Sequence, residues 1–144
     1  AGGIASGEAM LAAMALGAEG IQGGTLFALT EESSASEEFK KRCTELAEGD
    51  TMLCLKKIAP TRLIKNALYT KLAEAEDKGA TADELREILG RAASKRGIFE
   101  GDMESGELEI GQIASAIKTI KPVSEVMKEL ISGFEKAKER VALL

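Results

Sequence analysis

Histidine is absent from this 144-residue sequence. It is the side chain that ordinarily serves as acid and base near neutral pH. Any proton transfer by these residues must therefore use carboxylates or lysines, or else the base lies elsewhere. Aromatic residues make up only 3% of the chain, so aliphatic side chains and alanine must supply most of the core.

Cysteine is nearly absent too, since the chain contains only Cys43 and Cys54 and no CxxC pair. Without histidine or a second cysteine pair, these residues cannot complete a zinc site. We expect two reduced structural thiols. The acids between residues 101 and 111 do not follow the EF-hand spacing, so we expect a solvated loop there and no metal site.

The chain has neither an excess of basic residues nor a long apolar run. Its 19 lysines and arginines are interspersed among 24 acids, giving a net charge of −5. A nucleic-acid surface needs clustered cations, so we expect no such partner. No apolar stretch approaches the roughly 20 residues of a membrane span, and we expect no secretory leader. We therefore expect a cytoplasmic protein without a membrane partner.

Two glycine pairs, Gly2-Gly3 and Gly23-Gly24, frame the first part of the chain. Ser6 is a predicted helix cap, and Gly17 is the predicted end of that helix. Residues 18–23 are short and bracketed by glycine, which is typical of a buried parallel strand. The opening thus predicts a βαβ unit. Since the chain begins with Ala-Gly-Gly and not with Met, we expect it to be the C-terminal part of a longer polypeptide.

Helical patterns dominate the rest of the chain. We expect a helix over 36–47, a strand over 51–55, and helices over 61–78, 81–96 and 110–118. The third of these helices begins with a capping box at Thr81 and Glu84. Pro122 suits the first turn of a closing helix that carries a long apolar stripe. We expect the stripe to pack on the body of the protein; the alternative is a partner or membrane surface.

One βαβ unit cannot close a sheet by itself. A (β/α)8 barrel runs to about 200 residues or more, and its last two strands carry phosphate-binding loops. The sequence therefore predicts an α/β fold, the C-terminal part of a TIM barrel followed by added helices. We expect residues 1–35 to form the end of the barrel and residues 36–144 to form a mainly helical extension packed on it.

The sequence AGGIASG followed by GAEGIQGGTLF resembles the family of flavin-dependent nitronate monooxygenases and enoyl-acyl-carrier-protein reductases II. The family pattern is A-G-G-I-x-x-G, then G-A-x-x-V-Q-x-G-T-x-F. The stretches EGDTMLCLKKIAPTRLIKN, FEGDMESGELEIGQ and KPVSEVMKEL are similar to the C-terminal region of that family. The resemblance covers essentially the whole chain, but only about the second half of a family member.

The resemblance implies an FMN cofactor whose phosphate is held by backbone amides of two loops. The matching residues are Gly2 and Gly3 in the first loop and Gln22, Gly23, Gly24 and Thr25 in the second. Amides that carry no side chain suit an anion-binding nest. Two positions depart from the family pattern: Gly23 replaces a larger residue, and Leu26 replaces a frequent arginine. The alternative for the glycines is turn geometry alone.

The resemblance also implies two further groups of residues. Gly111 and Gln112 match the family's Gly-Gln pair near the substrate pocket, and the alternative for them is loop geometry. Arg62, Lys65 and Asn66 match an R-x-x-K-N stretch, which either lies near the cofactor or is a solvated helix face.

The function that the resemblance implies is that of an FMN-dependent oxidoreductase. We expect an enoyl-acyl-carrier-protein reductase that uses NAD(P)H on a small or carrier-linked substrate in fatty acid synthesis. The alternatives are a nitronate monooxygenase and, in another class, a non-catalytic helical fragment. The family's catalytic histidine lies in the preceding half, so we assign no catalytic residue here. The expected partners are the N-terminal half of the barrel and a second copy in a homodimer.

Overall fold

The computed structural model describes residues 1–143, which fall into two compact units. The first unit comprises residues 1–33 and the chain from Thr119 onward, and the second is Ser34–Lys118. The closing helix is thus grouped with the start of the chain. The predicted division into a barrel end, 1–35, and a helical extension packed on it, 36–144, stays a prediction.

The first unit opens with helix α1, Gly7–Ala15, as the capping pattern predicts. The Ser6 hydroxyl accepts the Ala9 N–H at 3.2 Å, and Gly17, with a φ of 100°, follows the last turn. The backbone N–H groups in the first turn of a helix have no carbonyl partner within the helix, and the Ser6 hydroxyl supplies an acceptor for one of them. The next helix, α2, is short and spans Gly24–Ala28.

Helix α6, Val123–Val141, packs against α1. Its first turn is capped by a residue distant in sequence, because the Glu32 carboxylate accepts the Val123 N–H at 2.9 Å. The predicted apolar stripe is only half buried. Val126 and Leu130 are buried, whereas Ile131 is 55% exposed.

The strand predicted over residues 18–23 is not formed. Within the described residues, strand pairing in named strands is confined to one two-stranded sheet elsewhere in the chain. A parallel strand takes its hydrogen bonds from neighbouring strands. Residues 18–23 have no such neighbour here, so the expected βαβ unit is not observed.

The second unit contains that sheet, an antiparallel pair of β1, Thr51–Cys54, and β2, Thr61–Ile64. The strand expected near residue 51 is confirmed. The helix expected over 61–78 is wrong in its first part, because residues 61–64 pair with β1 and place Leu63 and Ile64 in the interior. Tertiary pairing has overridden the helical spacing of the apolar residues.

Three α-helices accompany the sheet: α3, Glu37–Thr44; α4, Ala67–Asp77; and α5, Ala82–Leu89. The capping box predicted at Thr81 and Glu84 is present. However, α5 ends at Leu89, and Gly90, whose φ of 72° does not continue a helix, follows it. The expected continuation to residue 96 is wrong: a π-helical turn, Lys95–Phe99, follows instead.

Besides the buried Phe39 and Cys43, the second unit contains a core cluster of aliphatic side chains and one thiol. Its buried members are Cys54, Leu55, Leu63, Leu68, Leu72, Leu85 and Ala93.

Candidate functional site

The two glycine segments of the first unit lie next to each other. The carbonyl oxygen of Ile4 is 3.6 Å from the position that a Cβ on Gly23 would take. Gly2 and Gly3 have φ values of 96° and 68°, a backbone region that glycine enters without steric cost. The fold therefore brings the start of the chain against the segment that precedes α2.

Three of the four glycines, Gly2, Gly3 and Gly24, are exposed, whereas Gly23 is buried. At Gly2, Gly3 and Gly24, no heavy atom outside the adjacent residues and the glycine's own helix lies within 4 Å of the position that a Cβ would occupy. Gln22 is exposed and Thr25 is half-buried. Exposed main chain without side chains suits close approach of a phosphate oxygen, so this backbone is compatible with the predicted phosphate contact, which stays a prediction.

The positive end of α1 already faces a carboxylate. Glu8 lies in the first turn, where hydrogen bonds from its own backbone amide and from the Ser6 hydroxyl hold the pKa of its carboxyl below the usual value. A negative charge at this position is favourable for the helix. It also opposes a second anion at the same place.

The segment 101–111 differs from the expected solvated loop. Glu107 is only 8% exposed and accepts a hydrogen bond from the Ser94 hydroxyl at 2.5 Å. Leu108 and Ile110 are also buried. Over residues 1–143, no group of three or more His, Cys, Asp or Glu side chains is placed to hold a metal ion.

The same segment lies along β2 and leads to the predicted pocket residues. The Ile64 N–H donates to the Leu108 carbonyl at 3.0 Å, and the Ile110 N–H donates to the Arg62 carbonyl at 3.2 Å. Gly111 follows, and Gln112 begins a 3-10 helix, Gln112–Ala116. The α-helix expected over 110–118 is therefore wrong. Both pocket residues belong to the second unit, and their role at a pocket stays a prediction.

The residues of the R-x-x-K-N stretch make structural contacts. Arg62 donates from Nη1 to the Thr51 carbonyl at 3.2 Å, and Lys65 is exposed. Asn66 caps α4 by accepting the Tyr69 N–H at 2.9 Å. It also donates to the loop that precedes Gly111. Motif matching missed this role, although an asparagine placed directly before a helical pattern is a capping signal.

The two cysteines are unsuited to nucleophilic chemistry. Both are unpaired and buried, as the sequence predicts. Burial raises the pKa of the Cys43 thiol to about 12, and burial together with the Glu76 hydrogen bond raises that of Cys54 to about 11. Both thiols therefore stay protonated near neutral pH, and the thiolate is the reactive form.

Two surface grooves lie apart from the predicted site residues. One of about 470 Å³ is lined by residues of α4 and α5 and their connection, and one of about 310 Å³ by residues of α1 and α6. Neither has a predicted site residue in its lining. No helix among residues 1–143 combines the length and the apolar character needed to cross a bilayer.

Comparisons with known proteins give a consistent picture. The family model described as nitronate monooxygenase matches residues 1–133. A probable nitronate monooxygenase of Staphylococcus saprophyticus subsp. saprophyticus is 35% identical over 101 residues, covering 67% of this chain and 28% of that protein. One from Staphylococcus aureus is 31% identical over 136 residues, covering 92% of this chain and 37% of that protein.

Solved structures agree with this result. FabK from Thermotoga maritima has a TM-score of 0.89 at 32% identity, covering 98% of this chain and 45% of that protein. A nitroalkane oxidase from Streptomyces ansochromogenes has a TM-score of 0.72 at 28% identity, covering 99% of this chain and 40% of that protein. The chain thus spans less than half the length of each of these relatives.

Proposed function

These 144 residues belong to the nitronate monooxygenase family, and we propose that they form the phosphate-binding end of an FMN-dependent oxidoreductase. The observation that carries the proposal is the contact between the two glycine segments, where Ile4 meets Gly23. Exposed backbone at Gly2, Gly3 and Gly24 adjoins that contact. Two segments far apart in sequence thus present accessible main chain side by side.

We assign the phosphate contact to backbone amides of these glycines, aided by the side chains of Gln22 and Thr25. No cationic side chain is assigned to the phosphate, because this chain has Leu26 where the family frequently has arginine. Leu26 is buried. The N-terminus of α1 is not assigned either, because Glu8 faces it. FMN, when bound, would supply the acceptance and delivery of hydride. These residues would hold and orient it.

The remaining barrel would come from polypeptide that corresponds to the unmatched portion of the relatives. FabK is covered only to 45%, and residues 18–23 lack neighbouring strands among residues 1–143. We propose that these residues become a barrel strand when such neighbours are supplied. Gly111 and Gln112 would line the substrate pocket, and a second copy of the whole protein would complete a homodimer.

The acid or base of the reaction would lie outside these residues. The chain has no histidine, and both thiols have raised pKa values. Two unpaired thiols are also typical of a reducing compartment, which supports our proposal of a cytoplasmic location.

Among reactions of the family, we favour reduction of an enoyl thioester, linked to acyl carrier protein or to a small carrier, with NAD(P)H in fatty acid synthesis. Support comes from the TM-score of FabK, which is 0.89 against 0.72 for the nitroalkane oxidase. The second candidate is oxidation of alkyl nitronates with oxygen. The family model and the curated staphylococcal relatives favour it.

The cofactor proposal is tested by fusing these residues to the unmatched portion of Thermotoga maritima FabK. We expect a yellow protein that releases FMN on denaturation. In that fusion, Gly24→Val should lose FMN, because a branched side chain would occupy the space where the phosphate approaches. Ala59→Val is the control, since Ala59 is exposed, lies outside residues 18–23 and is not a predicted site residue.

Equal FMN content in the two variants would refute the phosphate assignment. A folded fusion without flavin would instead favour the third candidate, a non-catalytic helical fragment. With flavin bound, the substrate decides the reaction. NAD(P)H oxidation driven by crotonyl thioester would support the reductase, and oxygen uptake driven by an alkyl nitronate would support the monooxygenase.

A further inference from the structure

We propose that Asn66 is a positioning residue for Gly111 and Gln112, acting through the segment 103–110. The inference rests on the proposed function for the pocket role of Gly111 and Gln112. Its structural part, the hold of Asn66 on that segment, stands on contacts within the second unit alone.

Asn66 divides its amide between two tasks. Its Oδ1 accepts the Tyr69 N–H at 2.9 Å and so caps α4. Its Nδ2 donates to the Met103 carbonyl at 3.0 Å and to the Gly106 carbonyl at 2.9 Å. Both hydrogens of the amide are therefore used to hold one loop that lies 37 to 40 positions further along the chain.

The loop has little freedom between these contacts and Gly111. A Cβ on Gly106 would lie 2.3 Å from the Cα of Gly97, so two backbone segments touch at this point. Beyond it, the Glu107 N–H donates to the Ala93 carbonyl at 3.0 Å. A shift at residue 106 must therefore either break such bonds or move the chain that continues into Gly111.

The pairing along β2 continues this restraint. The Leu108 carbonyl and the Ile110 N–H both bond to β2, and Glu109 forms an antiparallel bridge with Leu63. Asn66 lies two residues after the end of β2 and caps α4. The same short stretch thus supports the loop by its main chain over residues 62–64 and by its side chain at residue 66.

Two substitutions separate the cap from the hold on the loop. Asn66→Ser retains a capping oxygen but loses both donors to Met103 and Gly106. Asn66→Asp also retains the cap, and it points a carboxylate oxygen at the two carbonyls. A role confined to capping would leave both variants close to the parent protein. A role in holding the loop predicts an effect that is larger for the aspartate.

The first experiment uses the 144-residue chain. We expect amides of residues 104–110 to exchange at least about tenfold faster in Asn66→Ser, as the loss of two hydrogen bonds implies. The NMR amide shifts of Gly111 and Gln112 should move, while amides of α4 keep their protection. Thr81→Ala is the stability control, because it removes a cap from α5 without touching this loop.

Unchanged exchange and unchanged Gly111 and Gln112 shifts in both Asn66 variants would overturn the inference. The same would follow if Thr81→Ala produced the same changes, because general loosening would then explain them.

The second experiment uses the flavin-loaded fusion with FabK and its thioester or nitronate substrate. A misplaced pocket segment should raise KM about threefold or more while kcat changes less. Gln112→Ala serves as the reference. If Gln112→Ala raises KM and the Asn66 variants do not, the inference fails and the proposed function stands. If Gln112→Ala has no effect, the pocket role of that residue fails, whatever Asn66 does.

Discussion

The contact between α1 and α6 depends on a glycine that no other residue can replace without moving a helix. An ideal Cβ on Gly7 would lie 2.0 Å from the backbone nitrogen of Phe134, 2.3 Å from the carbonyl carbon of Gly133 and 2.5 Å from the carbonyl oxygen of Leu130. All three are backbone atoms, so none can rotate away. Gly7→Ala must therefore push the two helices apart by roughly 1.5 Å, given normal contacts of about 3.5 Å.

The cost follows from two opposing effects. Overpacking of a tight contact costs about 1–3 kcal/mol, and separation of the helices also loosens buried side chains. Alanine regains at most about 1 kcal/mol of helix propensity over glycine. We expect Gly7→Ala to lower the free energy of unfolding of the first unit by about 2 kcal/mol.

The assay is urea unfolding followed by circular dichroism, with amide exchange of α1 and α6 measured in parallel. Gly20→Ala is the matched control, because nothing lies within 4 Å of its Cβ position. Gly133→Ala should fall between them, since its Cβ would lie 3.3 Å from the Cα of Gly7. Equal unfolding midpoints for Gly7→Ala and Gly20→Ala would refute the packing argument.

The remaining predictions address the cores and the caps. Leu130→Asp buries an unpaired charge and should lower the free energy of unfolding by about 3 kcal/mol or more. Ile131→Asp is the control, because Ile131 is 55% exposed. In the same urea assay it should cost less than about 1 kcal/mol. The thiol pKa values of Cys43 and Cys54 in the folded protein lie above the usual 9.0, so the unfolded chain loses these protons first as pH rises. The stability that the two protonated thiols contribute should therefore fall as pH rises from about 9 toward 11. A Cys-to-Ala double variant whose unfolding midpoint changes equally between pH 8 and pH 10.5 would contradict this. Thr81→Ala should cost about 1 kcal/mol through its lost cap, and an unchanged melting temperature would count against that role.

Hydrogen bonds between near neighbours were partly readable from the sequence. Ser6 and the Thr81 capping box, both predicted, each act on an amide three residues away, whereas the equally local cap formed by Asn66 was not predicted. The glycine pairs were also readable, since their match to a known family names candidate site residues without a structure. The roles of those residues in binding a cofactor stay predictions.

Contacts between distant segments were decided by the tertiary structure. Residues 61–64 carry apolar spacing that suits a helix, but they form a strand because residues 51–54 offer a partner. Conversely, residues 18–23 look like a strand and remain unpaired, because a strand requires neighbours that a short stretch cannot specify. Glu107 reads as a surface acid, yet it is buried because Ser94 satisfies it.

The sequence by itself determined where α1, α3 and α5 begin, which family the chain resembles, and which side chains it lacks for acid-base chemistry. The tertiary structure decided which segments touch: Gly7 against α6, Ile4 against Gly23, and Asn66 against the loop before Gly111. The physical reason is the range of the interactions. Caps and helix propensity act over three or four residues, whereas strand pairing, close glycine contacts and buried polar bonds depend on groups that only folding brings together.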